Sequence, residues 1–161
     1  REAAVDPSEF SEDGIDELEF MLSANRGQPS LPVARFASGG EMSRVMLALK
    51  SVVGGFDGIP TMIFDEIDSG VSGVTASVVG EKLKRMAGGR QIVCITHLPQ
   101  IAAFADHHYM IEKRSDDADT YTTLTELSDG ERVREIARLI GGSTVTATTM
   151  DSARELIEAS R

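Results

Sequence analysis

The chain has 161 residues, 41% of them apolar, which suits one ordinary domain with a real core. A net charge of -10 argues against a surface built to coat a polyanion, because phosphate binding draws on clustered Lys and Arg. No apolar run approaches the roughly 18 to 20 residues that span a bilayer, and no secretion signal opens the chain, so it reads as soluble and cytoplasmic, with no membrane contact.

The opening residues 1–14 are polar and start without Met, so an upstream region is expected. IDELEFMLSAN (15–25) alternates as a strand does, and NRGQPSLPVARFAS then reads as an extended loop leading to Ser38. From Glu41, apolar residues at Met42, Val45, Met46, Leu49, Val52 and Val53 keep helical spacing until Gly54-Gly55 ends the run. PTMIFDE (60–66) is a short apolar run ending in two carboxylates, as expected of a buried parallel strand whose end opens onto a site. A helix is expected over 72–87, then the strand QIVCIT (91–96), a short helix LPQIAAFA, strands at HHYMIEK and TYTTLTEL, and helices near 131–140 and 147–159. Strand and helix alternate through the middle, so the expected class is α/β with a mainly parallel sheet flanked by helices. Cys94, inside an apolar strand, is the single cysteine and reads as a small buried hydrophobe.

Three places carry polar groups where chemistry would need them. Ser38-Gly39-Gly40-Glu41 has the spacing of a capping box, which needs no ligand; the glycine pair adds the option of an anion approached closely by backbone N–H groups at the positive end of a helix. The same spacing recurs at Ser128-Asp129-Gly130-Glu131, without the pair. Asp65-Glu66 ends an apolar strand, where ligands of open α/β sheets bind. One carboxylate there can hold Mg²⁺, directly or through water, and the other can polarise an attacking water; an acidic strand-to-loop junction is the plainer alternative. His97 occupies the equivalent end of the next strand, suited to a terminal phosphate or a water, although a lone His is also commonly structural. His107 and His108 follow Asp106, but neighbours on a strand face opposite ways, so metal binding there is not expected. Lys82, Lys84, Arg85 and Arg90 are the local candidates for a nucleic-acid contact, with a solvated helix face as the alternative.

Taken together, SGGE opening a helix, a strand ending in Asp-Glu and a strand ending in Thr-His resemble the C-terminal lobe of ABC-type ATPase heads, in the order signature motif, Walker B and switch histidine. Within that group, ASGGEMSRVMLALK, PTMIFDEIDSGVSG, ITHLPQIAAFADHHY, IARLIGG and SARELI are similar to the RecN family of SMC-like DNA-repair proteins, covering most of the chain from about residue 15 onward. The resemblance implies an ATPase, with Asp65 ordering Mg²⁺, Glu66 as general base and His97 sensing the γ-phosphate. Ser38, Gly39, Gly40 and Glu41 would act in trans on ATP held by a second head, and Asp68 would lie at the interface between heads. One departure stands at Ser72, where SMC-type and transporter heads usually place an Asp. The sequence contains no G-x-x-x-x-G-K-[ST], so the implied P-loop would come from an N-terminal lobe of the same head. The implied partners are that lobe, a second head in a homodimer, and DNA through the full-length protein, acting at the nucleoid. A non-hydrolysing interaction module, or a head lobe of another SMC-type or ABC ATPase, is the alternative.

Overall fold

The computed structural model describes residues 12, 14–16, 18–23, 27, 29–35, 38–53, 58–115 and 120–161. It divides into two compact units, residues 1–37 and 38–161. In the first, β1 (Met21–Leu22) pairs antiparallel with β2 (Leu31–Pro32), and Val33 N–H donates to Phe20 O at 2.8 Å. A single 3-10 turn follows at Val33–Arg35. The strand expected over 15–25 is thus two paired residues among those described.

The second unit begins with α1 (Gly39–Val53), followed by β3 (Thr61–Phe64), α2 (Gly73–Ala87), β4 (Gln91–Cys94) and the short α3 (Pro99–Ala102). A hairpin of β5 (Tyr109–Ser115) and β6 (Thr120–Glu126) precedes α4 (Asp129–Gly141) and α5 (Ala147–Ala159). β3 and β4 pair in parallel, Thr61 opposite Gln91 and Phe64 opposite Cys94, with α2 as the crossover. The expected α/β class is observed, but parallel pairing among the described residues is confined to these two strands. The β5–β6 sheet is antiparallel, Tyr109 opposite Glu126.

Side-chain alternation decides what this small sheet buries. Met62 and Phe64 face inward with Ile92 and Cys94 against Leu47 of α1 and Ala76, Val79 and Leu83 of α2. These α2 positions recur at helical spacing, so one stripe of the helix covers one face of the sheet. The opposite face carries Ile63, 69% exposed, with Val93 and Ile95. The expectation of a strand buried on both faces is therefore corrected: within this chain only one face of β3 is covered. A methyl at Gly80 would meet the Phe104 ring and Gln100 O, so glycine here lets α3 and the turn after it lie directly on α2.

A second core joins Ile136 and Ala137 of α4 to Ala153 and Ile157 of α5 and to Ala102 and Ala103. The Ala103 carbonyl accepts from the Ser160 hydroxyl and from Arg132 Nη2, both at 2.6 Å, which ties the last two helices to the end of α3. Because Ile101 lies in the first core and its neighbour Ala102 in the second, α3 couples the two.

α1 departs from its sequence reading in one respect. The helix is where its periodicity put it, but Met46, Leu49, Val52 and Val53 are exposed, whereas Gly40 and Leu47 are buried. No helix among the described residues is long and apolar enough to cross a membrane.

Candidate active site

The site is built where β3 and β4 end. Parallel pairing runs on past Cys94, with Ile95 N–H donating to Phe64 O at 3.0 Å, so the two strand ends open side by side. Asp65, Glu66, Asp68, Ser69, Thr96 and His97 line one open cleft of about 370 Å³. Carboxylates from one strand end and an imidazole from the next, placed far apart in sequence, thereby share a single space.

Glu66 is held in an unusual backbone conformation. Its φ of 56° is the left-handed region, and it is the one non-glycine residue there among those described. Such a position costs about 1–3 kcal/mol and persists only where neighbours fix it. Here Glu66 N–H donates to Asp65 Oδ1 at 2.8 Å and Glu66 O accepts from Ser69 N–H at 3.0 Å. The turn leaves both carboxylates exposed at the cleft, although they are adjacent in sequence.

α1 is fastened to this turn at its N-terminus. Ser43 Oγ donates to Asp65 O at 2.9 Å, and Arg44 Nη1 donates to Ile67 O at 3.2 Å and Ser69 O at 2.7 Å. Hydrogen bonds from a charged donor are each worth about 1.5–3 kcal/mol, so Arg44 is a substantial clamp. The glycine pair gains a physical reason independent of any anion. A methyl at Gly39 would run into Glu66 Oε2, and one at Gly40 would stand 2.7 Å from Ser69 Cβ and 2.8 Å from Glu66 O. Ser38 caps the helix, its Oγ accepting from Glu41 N–H at 3.2 Å, and Glu41 is half-buried in the first turn.

Asp68 is only 5% exposed and reaches across to the neighbouring strand end. Its Oδ2 accepts from Thr96 Oγ1 at 2.6 Å and from His97 N–H at 2.8 Å, and His97 Nδ1 lies 2.9 Å away. Burial raises the pKa of this carboxyl, but the Thr96 and His97 bonds and the nearby imidazole outweigh it, holding Asp68 below the usual carboxylate range. The His97 side chain is 75% exposed. Ser72 begins α2 in an extended conformation and makes no side-chain cap bond.

Elsewhere, His107 Nδ1 pairs with Glu126 at 2.9 Å, apart from the cleft. Of the four basic candidates, Arg85 is bound to Glu81 on the solvated face of α2, and the half-buried Lys84 reaches Asp106 beyond α3. No group of three or more His, Cys, Asp or Glu side chains among the described residues is arranged to hold a metal. Asp65, exposed at the cleft with one oxygen engaged by Glu66 N–H, is the carboxylate that could hold Mg²⁺, an ion that keeps several waters and is bound through one or two carboxylates plus substrate phosphates. Sequence reasoning missed Ser43 and Arg44. They fall on an ordinary helix surface in the sequence, and only the packing of α1 on the turn after β3 reveals them.

The fold that positions these groups is like that of a solved SMC ATPase. A solved structure from work on ATP-driven dimerization and DNA-stimulated activation of SMC ATPases superposes with a TM-score of 0.52 over 87% of this chain and 80% of that one, at 23% identity. More specifically, the chain is homologous to the DNA repair protein RecN along almost its whole length. It is 45% identical to RecN of Halalkalibacterium halodurans over 98% of its residues, 48% to that of Treponema pallidum over 91%, and 45% to that of Bacillus subtilis over 94%. It spans 26–28% of the length of these relatives. No protein-family model matches it.

Proposed function

We propose that this chain is half of an ATP-hydrolysing head of a RecN-like DNA-repair protein, acting in double-strand break repair and recombination in the cytoplasm at the nucleoid. The observation that carries the reading is Glu66, held at a left-handed backbone position beside Asp65, at a cleft it shares with His97 and with Gly39 against its carboxylate. An exposed carboxylate on a strained backbone at a strand end suits a general base for water, and likeness to a solved SMC ATPase supports ATP as the substrate.

In this reading Glu66 takes a proton from the attacking water, Asp65 holds Mg²⁺, and His97 contacts the terminal phosphate or that water. Mg²⁺ would supply charge stabilisation on the phosphoryl oxygens. Ser38, Gly39, Gly40 and Glu41 close over nucleotide bound by a second head, with the N–H groups of the glycine pair at the positive end of α1 facing an anion. The loop holding the β- and γ-phosphates comes from the N-terminal lobe of the same head. The open outer face of β3–β4, with Ile63, Val93 and Ile95, supports such a lobe packing there. Asp68 is already engaged within the chain, so its part at a head interface would be indirect. DNA is engaged through the full-length protein.

The test compares the 161-residue chain with the complete protein. The chain alone should show no appreciable ATPase, and the complete protein should turn over ATP with a loss of about 10² or more in Glu66→Gln while ATP still binds. Robust turnover by the chain alone, or near-normal turnover in the variant, would overturn the reading.

A further inference from the structure

We propose that Asp68 is the positioning residue for His97, fixing the ring and keeping its hydrogen on Nδ1 so that Nε2 is the nitrogen left for a ligand in the cleft. The geometry around Oδ2 carries this. A single buried oxygen receives the Thr96 hydroxyl at 2.6 Å and the His97 backbone N–H at 2.8 Å, with the ring nitrogen Nδ1 at 2.9 Å. The Thr96 hydroxyl is itself oriented, because its oxygen accepts from Leu98 N–H at 3.1 Å and its hydrogen is thereby directed to Asp68. Backbone and side chain of His97 are thus referred to the same atom, which limits both where the residue sits and how the ring turns.

The tautomer follows from electrostatics. A lone pair on Nδ1 would face an ionised carboxylate oxygen at 2.9 Å, which is repulsive, whereas a hydrogen there is attracted. In the neutral ring Nε2 is then an acceptor, suited to the O–H of a water. A phosphate oxygen, having no hydrogen to give, is met only by the imidazolium, with Asp68 behind it to balance the charge. Asp68 therefore decides which partner His97 takes in each protonation state, without touching that partner.

Its catalytic consequence rests on the ATPase reading above; the tautomer does not. The first measurement is the side-chain ¹⁵N spectrum of His97 in this chain at neutral pH, its signals identified by their loss in His97→Gln. An Nδ1-protonated ring is expected, with that preference lost in Asp68→Asn. An Nε2-protonated ring in the unaltered chain, or an unchanged pattern in Asp68→Asn, overturns the proposal. Should Asp68→Asn fail to fold, Thr96→Val keeps the carboxylate beside Nδ1 and is expected to retain the Nδ1-protonated pattern; loss of that pattern there counts against Asp68 as its cause. The second measurement is ATP turnover by the complete protein in a double-mutant cycle. Asp68→Asn alone should lower kcat by about tenfold with KM moved less than about twofold, and should add nothing in a His97→Gln background. Independent, multiplying losses would mean that Asp68 acts other than through His97, and would overturn it. If the complete protein does not hydrolyse ATP, the ATPase reading fails and the ¹⁵N spectrum alone decides the role of Asp68.

Discussion

The helices that begin at Ser38 and at Ser128 share a Ser-x-x-Glu spacing but end in different situations. At α4 the motif closes on itself: the Glu131 carboxylate accepts from Ser128 N–H at 2.9 Å and from its hydroxyl, and a methyl added at Gly130 would meet nothing within 4 Å. At α1 the serine caps the helix, yet the two residues after it are pressed against the Glu66–Ser69 turn, and Ser43 and Arg44 grip the carbonyls of Asp65, Ile67 and Ser69. A capping motif fixes where a helix starts. What stands in front of that start is decided by distant parts of the chain, and only there does function separate from structure.

Carboxylate-to-amide changes should divide the two ends most widely. Glu66→Gln in the complete protein is expected to slow ATP turnover by about 10² or more, whereas Glu131→Gln should leave turnover within about twofold, measured as steady-state phosphate release. The glycines come next. Gly40→Ala drives a methyl into Ser69 and the Glu66 carbonyl, an overpacking cost of about 1–3 kcal/mol in denaturant unfolding. Gly130→Ala has open space and should be neutral or stabilising by up to about 1 kcal/mol through helix propensity. A smaller effect is expected at the caps: Ser38→Ala costs about 1 kcal/mol and in addition weakens ATP-dependent association of heads, whereas Ser128→Ala lowers the melting temperature and leaves association alone.

Acid should produce the smallest contrast. Asp68 and Glu131 both titrate below their ordinary values of 3.8 and 4.5. For Asp68, burial opposes the shift and the bonds from Thr96 and His97 produce it; for Glu131 the cause is the hydrogen bonds from Ser128. A depressed folded-state pKa means that each contribution is complete above the unfolded value and is lost as pH falls through the folded one. Both losses therefore fall below about pH 4.5. Salt should shrink the Glu131 part, which is fully exposed, and spare that of buried Asp68, as read from melting temperature against pH at two ionic strengths.

Much of the framework was legible because it is local. The helical period from Glu41 and the apolar runs ending at Asp65 and Thr96 act within a few residues, and those elements formed where expected, while the Gly54-Gly55 stop lies outside the described residues. The side of α1 that packs was not legible. Its apolar stripe, Met46, Leu49 and Val52, faces outward, while Gly40, Arg44 and Leu47 make the contacts, because a polar turn and a sheet face stand on that side. Periodicity reports a stripe without saying what it meets. The left-handed backbone at Glu66 is held by its neighbours Asp65 and Ser69 but stands out in no residue pattern, and the reach of Asp68 to Thr96 and His97 spans 28 and 29 positions, which no pattern within a motif encodes. The three carboxylates were each visible in the sequence, but their division between a turn open to the cleft and a buried brace was not.

Cys94 offers a use outside the chemistry of the cleft. It lies on the inner face of β4, and burial, with Asp68 and Asp65 adding to it, pushes its thiol up to about 12. At neutral pH the reactive thiolate is then almost absent in the folded chain. Slow alkylation of this half-buried single cysteine, faster when the packing of β4 on α2 is loosened, would give a chemical readout of that layer.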